Sequence, residues 1–339
     1  MKNIKPIIVL SSILFVMILL IPALVVVPFA DKEGGKLTEN VQTKDMEPID
    51  LSSPVDVPVY RSQAGNIEEI PLEEYIVGVV ASEMPADFEL EALKAQALTA
   101  RTYVVRQMLI NDPKGVPAGA IVSDTVQHQV YKSPAQLKEQ WDPGDYEWKM
   151  EKIQKAVQAT AGQILTYENE PIDASFFSTS NGFTENSEEY WSNKYPYLRS
   201  VESPWDTESK EFLDQTVVTV EQFEKLLGVK LANDGSVGNI VSRTTGNRVK
   251  TVQINGKELS GREVREALKL RSSDFAWERK GDQIVIQTKG YGHGVGMSQY
   301  GANGMAKEGR THDQIVTHYY RGVEIASAEQ FVTKLTAKQ

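Results

Sequence analysis

Glu83 is the residue whose sequence surroundings best suit acid–base chemistry. Leu72, Tyr75, Ile76, Val79 and Val80 recur at i, i+3, i+4, i+7 and i+8, the spacing of one helical face. At roughly 100° per residue Glu83 falls on that face, in line with Leu72. Pro85 disfavours helical geometry at Met84, so the helix should stop there. A carboxyl at a helix C-terminus among apolar neighbours is disfavoured as an anion by desolvation and by the helix dipole. Its pKa should rise, which makes it a proton donor near neutral pH. The competing reading is a capped helix end with an exposed glutamate.

Other groups could join it. Arg101 lies about 50–60° from the centre of the apolar stripe Leu90, Leu93, Ala97, Ala100, Val104 and Met108. A half-buried guanidinium needs an anionic or carbonyl partner; it could position Glu83, hold a substrate carboxylate, or simply snorkel to water. The stretch 178–185, with Ser180, Asn181 and Glu185, is rich in hydroxyls and amides and suits a polyhydroxylated ligand, although ordinary turns look similar. Trp191, Lys194, Tyr195 and Tyr197 follow, aromatics with polar residues between them, of the kind sugar rings stack on or that pack a core. Glycine at positions 290, 292, 294 and 296 strips one side of an extended chain and points to close approach by backbone or ligand. His293 beside it is either catalytic or a structural hydrogen-bonder. The segment is neither a phosphate loop nor a nucleophile elbow, since Gly296-Met-Ser298-Gln-Tyr300 lacks the last glycine.

Composition removes whole classes of chemistry. There is no cysteine, hence no disulfide and no thiol nucleophile. Histidines stand at 128, 293, 312 and 318, without zinc-site spacing, so no metal is expected. With 46 Asp+Glu against 36 Lys+Arg and no basic stripe, nucleic acid is excluded as a partner.

The elements that must position these groups run as follows. Pro6 to Ala30 is uncharged over 25 residues, long enough for a membrane helix of about 37 Å. Lys2 and Lys5 precede it and Asp31 follows, so the chain after it should lie outside the cytoplasm. The rival reading, a cleaved signal peptide, has a shorter apolar region and a better exit than Pro28-Phe29-Ala30. Residues 31–54 read as a flexible stalk and 55–325 as the working domain, with 326–339 a C-terminal tail. Val55, Val57 and Val59 alternate as a strand; a second helix runs from near Asp87 to about Leu109. Residues 215–280 look like an inserted smaller α/β lobe, with a hairpin at Asn255-Gly256 and a capping box at Ser260 and Glu263. Helices and strands are interspersed without a strand–helix–strand rhythm. The expected class is α+β: mixed helices and antiparallel strands in a core domain, the inserted lobe, and one N-terminal membrane helix.

In combination, Glu74-Tyr75 with Val77-Gly78-Val79, Ala81-Ser-Glu83-Met-Pro85, Leu93-Lys-Ala-Gln96-Ala, Ala100-Arg101-Thr-Tyr103, Ser180-Asn-Gly-Phe-Thr-Glu185, Tyr197-Leu-Arg-Ser-Val201 and Gly292-His-Gly-Val-Gly-Met-Ser-Gln-Tyr-Gly301 resemble the stage II sporulation protein D family. The resemblance covers roughly residues 55 to 325. It implies a membrane-anchored lytic transglycosylase, without a cofactor, cutting peptidoglycan glycan strands during engulfment in endospore formation. It also implies sporulation proteins M and P as partners, the latter an amidase that strips stem peptides first. Some relatives carry a cysteine/histidine zinc site; here Ser123 and His128 stand at the cysteine positions and Gln127 at a histidine position, so no zinc is expected.

A two-step glycosidase needs paired carboxylates. A lytic transglycosylase needs one, because the C6 hydroxyl of N-acetylmuramic acid is the nucleophile. The resemblance therefore makes Glu83 the acid and then the base. Arg101 is expected to orient Glu83 or the sugar, and Lys194 and Tyr195 to touch substrate or stabilise the oxocarbenium-like state. Ser180, Asn181, Glu185, His293, Ser298 and Gln299 are expected to line the groove. The rivals are a non-catalytic glycan-binding enhancer of an amidase, a hydrolase using Glu185, Glu188 or Asp206 as base, and, more distantly, a serine hydrolase built on Ser298 and His293.

Overall fold

Alternating valines open the described chain as β1 (Asp56–Arg61), with Val57 and Val59 fully buried. A turn through Gly65 returns it as β2 (Asn66–Pro71), antiparallel, with Asp56 opposite Pro71 and Arg61 opposite Asn66. A computed structural model describes residues 51–112 and 114–336. The expected membrane segment, residues 6–30, most of the expected stalk and residues 337–339 lie outside them. Among the described residues no helix is long and apolar enough to cross a membrane.

β2 runs directly into α1 (Leu72–Glu83), whose Leu72, Tyr75, Ile76, Val79 and Val80 stripe is buried. As Pro85 dictates, α1 stops at Glu83: Met84 is extended, at φ −128° and ψ 135°, and its N–H closes the last turn on Val80 O. α2 (Leu90–Ile110) then crosses the middle of the domain. The sequence pattern predicts one buried stripe, but Ala92, Ala95, Leu98, Thr99, Arg101 and Thr102 are buried as well. Alanines let neighbours approach on every side. Thr99 and Thr102 satisfy their hydroxyls internally, on Ala95 O at 2.8 Å and Leu98 O at 2.6 Å. β3 (Val122–Ser123) pairs in parallel with β1. α3 (Pro134–Gln140) and α4 (Tyr146–Ala159) follow, then β4 (Gln163–Tyr167), β5 (Glu170–Pro171), β6 (Phe176–Phe177), α5 (Ser187–Tyr190) and a 3-10 turn at Pro204–Glu208.

A second hydrophobic core then forms. β7 (Leu213–Thr219), α6 (Val220–Leu227), β8 (Asn239–Arg243), β9 (Val249–Ile254), β10 (Lys257–Ser260), α7 (Gly261–Leu268), β11 (Phe275–Lys280) and β12 (Gln283–Lys289) build it. Phe223, Val252, Val264, Phe275, Ile284 and Ile286 meet at its centre. The strands form two sheets, β10-β9-β8 and β11-β12-β7. The lobe extends to Lys289, beyond the expected boundary, because β12 pairs along all of β7, from Gln283 opposite Thr219 to Lys289 opposite Leu213.

The chain re-enters the first core through β13 (Met297–Ser298), parallel to β6, then α8 (Gln299–Lys307) and α9 (His312–Tyr319). The expected C-terminal tail is in part structured. β14 (Glu324–Ser327) pairs with β4, and α10 (Glu329–Thr336) buries Phe331 and Leu335 in the main core. Its apolar residues are three, Phe331, Val332 and Leu335, a single set over little more than one turn and too short to fix a helical period. The class is α+β, helices interleaved with small sheets of two or three strands.

α2 is locked to its neighbours through Arg101, which is fully buried. Its Nε and Nη2 donate to Glu73 Oε1 at 2.9 Å and Oε2 at 2.6 Å. Nη1 donates to Thr160 Oγ1 and Gln163 O, and Nη2 also to Val157 O. All five N–H groups of the guanidinium thus have acceptors. They join α1, α2, the C-terminus of α4 and the start of β4. Glu73→Ala leaves this charge buried without its carboxylate and is expected to cost about 3–5 kcal/mol, read as a lower urea midpoint. Replacing the pair by Arg101→Met with Glu73→Leu is expected to recover most of that loss. A Glu73→Ala variant within about 1 kcal/mol of the parent contradicts the account.

Candidate functional site

Glu83 opens into a cleft of about 690 Å³. α1 and α2 supply Glu83, Tyr103 and Gln107; the loop after β3 supplies Val126, Gln127, His128 and Gln129. Asp173 to Ser178, Trp191, Tyr291 to His293 and Gln299 complete the wall. Glu83 is half-buried. Burial raises its pKa above the usual carboxylate value, and one hydrogen bond, Val130 N–H to Oε1 at 2.7 Å, works in the opposite direction. The peptide end of Glu83 is held too, its carbonyl accepting from Gln299 Nε2 at 2.9 Å.

Val130 reaches Glu83 because its loop is tied down along its length. Asp124 pairs with the buried Arg61 at 3.1 Å and accepts from Ser62 N–H. Tyr131 stacks on Tyr75 at 5.4 Å, with the Arg61 guanidinium 4.7 Å from its ring centre. α1 admits this loop at Gly78, where a Cβ would lie 2.3 Å from the Tyr131 ring and 2.7 Å from Lys132 O. Ser123 Oγ meets both Thr125 Oγ1 and His128 Nδ1 at 2.9 Å, and Ser123 N–H also donates to that Nδ1. Burial lowers the His128 pKa. Zinc takes thiolate, imidazole or carboxylate. Here a hydroxyl, an amide and an imidazole whose Nδ1 is already used stand in those positions, so the residues do not fit the metal. Among the described residues no group of three or more His, Cys, Asp or Glu is gathered as a metal site.

The glycine-rich segment forms the opposite wall and is not extended. Gly290, Gly292, Gly294 and Gly296 have φ of 80°, 117°, 88° and 79°. The close approach is to the protein itself: a Cβ on Gly296 would lie 1.9 Å from Ser175 O, and one on Gly294 2.3 Å from the Arg248 guanidinium carbon. His293 lines the cleft, packed by Phe177, Tyr190 and Trp191 at 5.1–5.6 Å between ring centres. Burial first, then the Arg265 and Arg248 charges, push its pKa down to about 3. Its Nδ1 accepts from Val295 N–H, and a further hydrogen bond reaches the Phe176 backbone. It is a neutral structural ring. Ser298 is fully buried; its Oγ donates to Asp206 and caps α8 by accepting from Gly301 N–H. Ser298 and His293 share no hydrogen bond, which removes the serine-hydrolase arrangement.

Several residues expected in the groove lie elsewhere. Arg101 makes no contact with Glu83; its carboxylate partner is Glu73. Ser180 is buried on Asp206 Oδ2 at 2.8 Å. Asn181 Nδ2 bonds Gly246 O and Asp274, and Glu185 accepts from Gly246 N–H and Thr244 Oγ1, so both connect the two cores. Lys194 is exposed and Tyr195 stacks on Tyr197, and neither lines the cleft. Of the bases considered for a hydrolase, Asp206 is buried among Ser180, Ser203 and Ser298, Glu185 is buried, and Glu188 pairs with Arg199. Gln299 and His293 line the cleft.

The cleft also contains residues that sequence reasoning missed: Asp173, Tyr103, Gln107 and the exposed ring of Tyr291. Tyr103 and Gln107 are one helical turn apart on the helix that bears Arg101, a spacing that was available in the sequence. Asp173 had no such signal, because it lies in an irregular stretch between β5 and β6.

With this geometry in view, comparison with known proteins is direct. The family model for SpoIID, stage II sporulation protein, matches residues 60–167. Stage II sporulation protein D of Bacillus amyloliquefaciens is 53% identical over 344 residues, covering 99% of this chain and 100% of that protein. Stage II sporulation protein D of Bacillus subtilis (strain 168) is 52% identical over 337 residues, covering 97% and 98%. The amidase enhancer of Bacillus subtilis (strain 168) is 31% identical over 304 residues, covering 74% of this chain and 40% of that protein. The chain therefore belongs to the SpoIID family of stage II sporulation proteins.

Proposed function

We propose that this protein is a peptidoglycan lytic transglycosylase. It would cut glycan strands between N-acetylmuramic acid and N-acetylglucosamine and leave 1,6-anhydro-muramyl ends. The observation that carries the reading is Glu83, a desolvated carboxyl at a helix C-terminus in an aromatic-walled cleft. Because Oε1 accepts the Val130 N–H, the acidic proton belongs on Oε2. Glu83 gives that proton to the glycosidic oxygen as the C1–O bond breaks, its electron pair leaving with the oxygen. The carboxylate then takes the proton of the C6 hydroxyl, whose oxygen closes on C1. No water is consumed, and the position of the hydroxyl on the same sugar favours ring closure over attack by water. Trp191, Tyr291 and Phe177 offer apolar faces to sugar rings.

In this reading the uncharged segment 6–30 holds the folded part at the outer face of the cell membrane during engulfment. Sporulation proteins M and P would be partners, the amidase P removing stem peptides before the strand enters the cleft. A second reading, glycan binding that enhances an amidase without cleavage, draws on the amidase enhancer among the relatives.

Mass spectrometry of purified glycan strands, with and without stem peptides, separates these. Residues 31–339 are expected to release anhydro-muramyl products and the Glu83→Gln form none, with binding retained. Reducing-end products mean a hydrolase, and binding without cleavage by the parent means the enhancer role. The pH dependence has a fixed sign. The acid must be protonated, so kcat/KM is expected to fall as pH rises through the elevated Glu83 pKa, with its descending limb above the usual glutamate value; a limb at or below about 4.3 contradicts this. The same shift acts on stability. The folded state holds a proton that the unfolded chain releases, so this contribution is present at low pH and is lost as pH rises. Glu83→Gln is therefore expected to gain in Tm relative to the parent between about pH 4 and pH 7. A gap that shrinks over that interval would show that burial does not penalise the Glu83 anion.

A further inference from the structure

The cleft is lined by two carboxyl groups, Glu83 and Asp173, and by no Lys or Arg. Burial and Val130 account for the shift of Glu83, whereas the charge of Asp173 acts on Tyr103 and Tyr197. Asp173 comes from the segment between β5 and β6, a different element from the α1 that bears Glu83. Its backbone N–H donates to Tyr197 Oη at 3.0 Å and its Oδ1 accepts from Ser175 Oγ at 2.9 Å. Within the protein no donor is given to Oδ2 among the described residues, and no Lys or Arg forms an ion pair with it.

The residue is held firmly. Tyr197 is pinned by Tyr195 at 5.4 Å, by Tyr167 at 5.5 Å, and by Arg321 N–H on its carbonyl at 3.0 Å. Arg106 acts on the same two tyrosines but does not line the cleft. Tyr103 and Gln107 stand in the cleft with Asp173. A fixed carboxylate beside a phenol and an amide accepts hydrogen bonds from sugar hydroxyls and from an N-acetyl N–H, and it repels a sugar that carries a carboxylate.

We propose that Asp173, Tyr103 and Gln107 form a subsite for an uncharged N-acetylated hexose beside the Glu83 centre, with Asp173 setting the register of the strand. This rests on the glycan reading of the cleft and adds a register to it. A strand freed of stem peptides alternates neutral N-acetylglucosamine with N-acetylmuramic acid bearing a lactyl carboxylate. Seating the neutral sugar at Asp173 brings the N-acetylmuramic acid, with its C6 hydroxyl, to Glu83.

The test measures binding alone. Calorimetry on the Glu83→Gln protein uses chitotetraose, which is neutral, and the peptide-free tetrasaccharide of alternating N-acetylglucosamine and N-acetylmuramic acid. Adding Asp173→Ala is expected to weaken chitotetraose binding about tenfold, through loss of charge-assisted hydrogen bonds. Adding Asp173→Asn, which keeps the Ser175 contact, is expected to shift the ratio of the two affinities about fivefold toward the carboxylate-bearing ligand. This shift is expected to fade as salt rises. Affinities unchanged within about twofold in both variants, with Tm unchanged, overturn the subsite while leaving the glycan site standing. Binding of neither probe by Glu83→Gln itself overturns the glycan reading, and the subsite with it.

Discussion

Arg101 gives all five of its N–H groups to acceptors on three other elements, and its carboxylate partner rides the same helix as Glu83. Glu73 and Glu83 are ten residues apart on α1, about 15 Å along the axis. Pinning the first turn of α1 against α2 and the end of α4 fixes the line along which the last turn points. The side chain at the functional end can then be held lightly. A buried pair of this kind is weak evidence for stability as such, because desolvation consumes much of the attraction. What it supplies is direction, since its five donors meet acceptors on α1, at the end of α4 and at the start of β4 at once.

Light holding is what an acid requires. A carboxyl that accepts two or three backbone N–H bonds is driven strongly acidic. Glu83 receives one, from Val130, and burial outweighs it. The single bond still orients the group, because the loop that delivers it is fastened by Arg61, Asp124 and the Tyr75–Tyr131 stack. Gly78 lets that loop lie against α1. The Ser123, Thr125 and His128 cluster tightens the same turn with hydrogen bonds.

The Glu83 helix was legible because periodicity and a proline act within one short segment. The partner of Arg101 was not: Glu73 is 28 residues away, and a helical wheel reports burial without saying which carboxylate waits there. The Ser180–Glu185 stretch misleads for a physical reason. Hydroxyls and amides that staple two cores look the same in sequence as those that bind sugar, and only the burial of Ser180 and Asn181 separates the cases. The glycines announced close approach correctly, but left-handed φ at alternate positions cannot be told from an extended strand by composition. Asp173 was invisible because its place depends on Tyr197 and on an irregular segment with no period. The α+β class was legible from interspersed elements; the packed α10 was not, since three apolar residues over little more than one turn are too few to show a period.

The lobe contributes to the cleft from behind. Arg248, fully within the structure at 2% exposure, lies flat over Gly294 and 6.0 Å from the Phe177 ring. Burial first, and then the charges of Arg265 and Arg248, push the His293 pKa down to about 3. The staples at Asn181 and Glu185 maintain that geometry by tying Gly246, Thr244 and Asp274 of the lobe to the main core. The aromatic wall of Phe177, Trp191 and His293 therefore stays uncharged through the whole range in which Glu83 exchanges its proton. An apolar wall at fixed charge opposite a titrating acid means that protonation alters the chemistry at Glu83 without altering the surface on which a sugar ring would rest.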